Sequence, residues 1–123
     1  MPNWVDNRVR IEAKTGDEMT EFKNFVKSKI DGEAFSFDSV VAMPKELIGT
    51  TFVDWAIVNW GCKWEVDNVE VSVEDETETQ YYFRTAWSPP TNVYNALVNR
   101  FPDLYISWFY DEPNLQFAGY LPN

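Results

Sequence analysis

The strongest constraint on this fold is the order in which the hydrophobic period changes along the chain. Residues 4–13, WVDNRVRIEA, alternate: Val5, Val9, Ile11 and Ala13 fall on one face, Arg8, Arg10 and Glu12 on the other. That is the pattern of a half-buried strand. The period then switches. Thr15 reads as an N-cap with Glu18 three residues on, and Met19, Phe22, Val26 and Ile30 follow at helical spacing with Phe25 beside them. Lys27 and Lys29 sit where a helix dipole favours cations, and Gly32 is placed to stop the helix. Alternation returns at 68–74 (NVEVSVE) and 79–87 (TQYYFRTAW), where Tyr81, Phe83, Thr85 and Trp87 share one face and Tyr82, Arg84 and Ala86 the other. SPP at 88–90 starts a second helix at Pro90, because Pro90 disfavours the α region for Pro89. Val93, Ala96, Leu97 and Phe101 form its stripe and Pro102 ends it. LYISWFY (104–110) is strongly β-forming, and a DEPN turn leads to a last short strand, QFAGYL.

Between the first helix and residue 68 lies an insertion at about 33–66. FSFDSVV (35–41) reads as a short strand. TFVDWAIVNW (51–60) reads as a helix with Phe52, Trp55, Ala56 and Trp60 on one face, closed by Gly61. Removing the insertion leaves βαββαβ, the split βαβ or ferredoxin-like pattern. The expected fold is α+β: a two-layer sandwich of an antiparallel sheet with both helices on one face. One domain spanning 1–123 is expected. With 45% hydrophobic and 17% aromatic residues, a folded rather than a disordered chain is expected. No run approaches the length of a membrane span, and MPNWVDN lacks a signal pattern. Cys62 is the single cysteine, which fits a reducing cytosol, so a cytoplasmic location is expected.

Composition also narrows the chemistry. The chain has no histidine, which removes the commonest general base and metal ligand. Hydrolase triads of the usual kind go with it. Cys62 has no partner for a zinc or iron–sulfur site, and the five glycines are scattered rather than gathered in a phosphate loop. The acids of Glu74-Asp75-Glu76 lie in a turn between strands, where solvation rather than acid–base pairing is expected. The expectation is a protein without catalytic residues, cofactor or metal.

Charge carries more. The formal net charge is -10, a balance that repels phosphate backbones, so direct nucleic-acid binding is not expected. Seven carboxylates (Glu65, Asp67, Glu70, Glu74, Asp75, Glu76 and Glu78) run from 65 to 78 with no basic side chain among them. The run reads either as a solvated hairpin edge or as an electrostatic lure for a basic partner. The aromatic strand YYFRTAW raises base stacking on a sheet but lacks the Lys/Arg-Gly-aromatic signature. NWGCKW (59–64) reads as a corner in which Trp60 closes a helix face, Gly61 caps it, Cys62 fills space and Trp64 opens the next segment. Its alternative is an exposed hot spot of Trp60, Lys63 and Trp64.

MPNWVDNRV, VAMPKEL, NWGCKW, FRTAWSPP, FPDLYISWFY and DEPNLQFAGYL together resemble the YubB-type ferredoxin-like domain of bacteriophage and conjugative-plasmid proteins. The resemblance spans essentially the whole chain. Cys62 stands where that family's pattern has threonine, which argues against an essential thiol, and Asn114 stands where it has glycine. The resemblance implies a ferredoxin-like fold and a mobile-element origin, and no established activity. The expected function is an acidic binding protein that inhibits a host defence protein handling nucleic acid, of anti-CRISPR or anti-restriction type. Its binding residues would be the seven carboxylates of 65–78, with Asp111 and Glu112 if the fold brings them near. Alternatives are a self-associating phage assembly protein and a single-stranded RNA-binding module.

Overall fold

A computed structural model describes residues 3–47, 52–114 and 116–122, with Asp67 described by its backbone alone. Five strands form one sheet: β1 (Trp4–Glu12), β2 (Asp67–Glu74), β3 (Glu78–Ala86), β4 (Tyr105–Glu112) and β5 (Phe117–Tyr120). Their order is β2-β3-β1-β4-β5, and every neighbouring pair is antiparallel. The helices are α1 (Gly16–Val26), α2 (Phe37–Val40), α3 (Val53–Asn59) and α4 (Thr91–Arg100), with a 3-10 turn at Lys45–Leu47. Setting aside α2, α3 and β5 leaves βαββαβ with strand order 2-3-1-4, so the ferredoxin-like expectation holds.

The core lies between the sheet and the helices. From β1 come Val5, Val9 and Ile11, from α1 Met19, Phe22 and Val26, and from α4 Val93, Tyr94 and Leu97, all buried in one cluster. Phe22 meets the rings of Tyr81 and Phe101, and Tyr94 stands edge-on to Trp108. The insertion supplies the hub. Phe35 has four rings (Phe37, Tyr81, Phe83 and Trp108) at centroid distances of 5.2 to 6.3 Å, the spacing at which aromatic pairs attract. Among the described residues no helix is long and apolar enough to cross a membrane.

Three local expectations are corrected. Thr15 does cap α1, its Oγ1 accepting the Glu18 N–H at 3.2 Å, but the helix ends at Val26. The Ser28 hydroxyl accepts the N–H groups of Ile30 and Asp31, a local turn that competes with further helix. Ile30 is therefore 85% exposed. Gly32, at φ +80, serves that turn rather than a helix end. The segment 35–41 is not a strand: it carries α2, whose first amides are satisfied by the distant Glu65. Finally, β3 ends at Ala86. Trp87 adopts φ 72 and is 45% exposed, so it leaves the face shared by Tyr81, Phe83 and Thr85.

Candidate functional site

The segment NWGCKW forms a latch. Gly61 has φ +96 and returns its N–H to Ala56 O at 3.1 Å, ending α3. A Cβ at this position would lie 2.8 Å from the Thr91 backbone nitrogen, so α4 begins directly against the corner. Trp60 O accepts the N–H groups of Asn92 and Val93, and Asn92 Nδ2 reaches Val58 O at 2.6 Å. The latch continues into the sheet. Ser88 Oγ donates to Gly61 O, Thr85 Oγ1 to Ser88 O, Asn7 Nδ2 to Thr85 Oγ1, and Trp108 Nε1 to Asn7 Oδ1, all within 3.0 Å. The NWG and TAWSPP motifs are thus two halves of one polar seam tying α3 and α4 to β1, β3 and β4.

Burial sorts the corner's own side chains. Trp60 and Cys62 are both 1% exposed, so Trp60 cannot belong to a surface hot spot. Its Nε1 instead donates to Val41 O. Burial pushes the Cys62 thiol up to about 12, which leaves it unreactive at neutral pH. Lys63 lies over the rings of Trp64 and Trp87, at 5.6 and 5.9 Å.

The expected acidic surface divides when folded. Glu65 is half-buried, and its carboxylate accepts from Phe37 N (2.6 Å), Asp38 N (2.9 Å), Val66 N (2.9 Å) and Ser36 Oγ (3.1 Å). It caps α2. Burial raises its pKa while those four bonds pull it down. Glu112 is fully buried; one oxygen accepts the Asn114 N–H and the other has no hydrogen-bond partner among the described residues. Glu112 cannot meet a partner, and the half-buried Glu65 has its carboxylate engaged by those four donors. Asp111 pairs in register with Asp6, whereas Glu78 pairs with Glu12. Those β1 positions are six residues apart, about 20 Å along a strand, so Asp111 is far from the hairpin tip. Asp67 opens β2 opposite Arg84, and Glu70 lies opposite Tyr82.

Glu74, Asp75, Glu76 and Glu78 remain, and the fold gives them company that spacing along the chain does not show. Glu76 lies over Gly16, where a Cβ would stand 2.7 Å from its Oε1, and shares a groove with Asp17 at the start of α1. Glu78 shares a second groove with Glu12 and Asp103. Asp103 in turn joins Glu18 and Glu21 in a third. Nine carboxylates from four segments therefore gather at one end of the sheet. Lys23 pairs with Glu74, and Arg10 with Glu12 and Glu78. Bonds from Gln80 and Arg10 hold the Glu78 carboxyl below its ordinary range. Asp75, Glu76, Asp17 and Asp103 make no ion pair among the described residues. Nor do any three acidic or cysteine side chains there converge to hold a metal ion.

The model for the ferredoxin-like domain in Api92-like protein matches residues 59–122, just over half of the chain. The chain belongs to this Api92-like family. The match begins at Asn59, the first residue of the latch motif, and runs through β2, β3, α4, β4 and β5. The Api92-like segment thus omits β1, the strand that joins β3 to β4 in the sheet. No curated protein and no solved structure matches the chain.

Proposed function

We propose that this is a non-enzymatic binding protein whose acidic end docks into the basic, nucleic-acid-binding surface of another protein. One observation carries the reading: nine carboxylates, brought from four segments to one end of the sheet, face only a few cations there. Such a surface steers a basic partner into contact and weakens with salt. The YubB-type resemblance supports a mobile-element setting, in phages or conjugative plasmids. There, a domain presenting nucleic-acid-like charge would inhibit a cytoplasmic host defence protein of CRISPR–Cas or restriction type. Glu74, Asp75, Glu76 and Glu78 from the hairpin are retained as binding residues, and Asp17 and Asp103 join them.

The test is affinity capture from bacterial lysate with the wild type and with Glu74→Gln/Asp75→Asn/Glu76→Gln/Asp103→Asn. The wild type should retain DNA- or RNA-handling proteins at low salt and release them at high salt. The neutralised variant should melt normally and retain none. Equal retention by a folded variant would overturn the proposal. A second reading, self-association, rests on Trp64, Trp87, Ile57 and Val58, which are 39 to 70% exposed. Light scattering separates the two, since a stable oligomer of the purified chain favours assembly.

A further inference from the structure

The sheet face turned away from the helices carries an ordered row that the acidic end does not explain. Strand register places Glu70, Tyr82, Arg8, Phe109 and Tyr120 side by side across all five strands. At about 4.8 Å per strand, the row spans about 19 Å. Arg8 stands at its centre, exposed, and makes no hydrogen bond or ion pair among the described residues. The flanking rings are held in place. Tyr82 donates its hydroxyl hydrogen bond to Asp6 at 2.8 Å, and Phe109 packs on Tyr120 with centroids 5.2 Å apart. An open groove of about 780 Å³ follows the row from Glu70 to Tyr120 and includes Arg10. It shares Glu70 and Tyr82 with a second groove of about 640 Å³, which is walled by Trp4 and Trp64 and includes Arg84.

We infer that this trough binds a short stretch of single-stranded nucleic acid, independently of the acidic end. Flat rings separated by a strand or two suit successive stacked bases, which need only a π-face. An unpaired guanidinium between two rings suits a phosphate or a base edge. Three of the chain's four arginines stand on this face, but Arg10 pairs with Glu12 and Glu78 and Arg84 with Asp6, so among the described residues Arg8 is the guanidinium left to meet a phosphate. The net charge of -10 opposes any polyanion at long range, so the contact is short and of moderate affinity. Glu70 is the acid the two grooves share. It makes the occupant testable, because its charge repels a nucleic acid and attracts a basic peptide.

Fluorescence anisotropy with dye-labelled, mixed-sequence 12-mers of single-stranded RNA and DNA, at low salt, reads this directly. The wild type should bind at least one of the two and prefer it to duplex of the same sequence. Phe109→Ala should weaken binding about tenfold, within the range for loss of one stacked base. Arg8→Gln should weaken it several-fold and reduce the salt slope by about one. Glu70→Gln should strengthen it several-fold, while Asp75→Asn/Glu76→Gln should leave it unchanged. Arg8 and Glu70 are exposed, so their variants will fold even if Phe109→Ala does not. No binding of either oligonucleotide, or binding indifferent to both Arg8→Gln and Glu70→Gln, would overturn the inference. A basic peptide bound in the trough and lost with Glu70→Gln would overturn it as well. Failure of the lysate capture at the acidic end would not bear on it.

Discussion

Replacing Glu65 with alanine separates a structural carboxylate from a partner-binding one. The carboxylate accepts four hydrogen bonds, from three backbone amides and the Ser36 hydroxyl. Losing an N-cap alone costs about 1 kcal/mol. Each further donor left unpaired in a part-buried site adds about 1 kcal/mol, the lower end of the desolvation range, because water can reach some of them. With the two α2 amides counted as the cap and Val66 N and Ser36 Oγ as the further donors, the total is about 3 kcal/mol. Size scaling for a domain of this length converts that to a fall in melting temperature of about 10–15 °C. Thermal unfolding followed by circular dichroism is the assay, and Glu65→Gln, which keeps one acceptor oxygen, should fall by less. Burial raises the folded pKa above the ordinary 4.5, so the folded state holds this proton more tightly than the unfolded chain. That contribution is full below pH 4.5 and is lost as pH rises through the folded value. Glu65→Gln should remove that slope. A melting point for Glu65→Ala within 2 °C of wild type, with lysate capture abolished, would refute the capping argument and return Glu65 to the binding surface.

Three further outcomes are expected. Gly61→Ala forces a side chain into positive φ, 2.8 Å from the Thr91 nitrogen. The strain and clash should cost about 3 kcal/mol, read as a lower urea midpoint at unchanged m; an unmoved midpoint would refute the latch geometry. Asn7→Leu leaves Trp108 Nε1–H without its acceptor and Thr85 without its donor in the core. It should cost about 2–4 kcal/mol, and a variant as stable as wild type would show the polar seam to be dispensable. Cys62 should resist iodoacetamide at pH 8 in the native protein and label readily in urea. Because its thiol rises from 9.0 to about 12 on folding, stability should fall between those pH values by up to about 1.4 kcal/mol per unit. Equal labelling of the native and unfolded protein would contradict the burial of Cys62.

Much of the frame was legible in the chain, because period and capping are local. The alternation of Val5, Val9 and Ile11, the Thr15 cap, Gly61 at the end of α3 and the Pro90 start of α4 each depend on neighbours a few residues away. The ferredoxin-like order followed from stringing those elements together. What failed depended on distant partners. α2 forms where 35–41 looks extended because a carboxylate from residue 65 satisfies its amides, 27 and 28 residues away. The motifs NWG and TAWSPP looked like separate signatures until Ser88 was seen to bond Gly61 O.

The same division holds for function. Length, the absence of histidine, the lone cysteine and a net charge of -10 are read from the sequence alone, and the functional expectation was drawn from them before any folding. Which carboxylates stand together did not follow. The sheet register moved Asp111 to the opposite end, burial withdrew Glu112, hydrogen bonds to α2 engaged Glu65, and the first turn of α1 and the turn before β4 delivered Asp17 and Asp103. The row of Tyr82, Arg8, Phe109 and Tyr120 was equally invisible, since its members come from four strands scattered across more than a hundred residues. Charge is a sum over the chain and can be read from its letters. A surface is a neighbourhood, and strand pairing decides who the neighbours are.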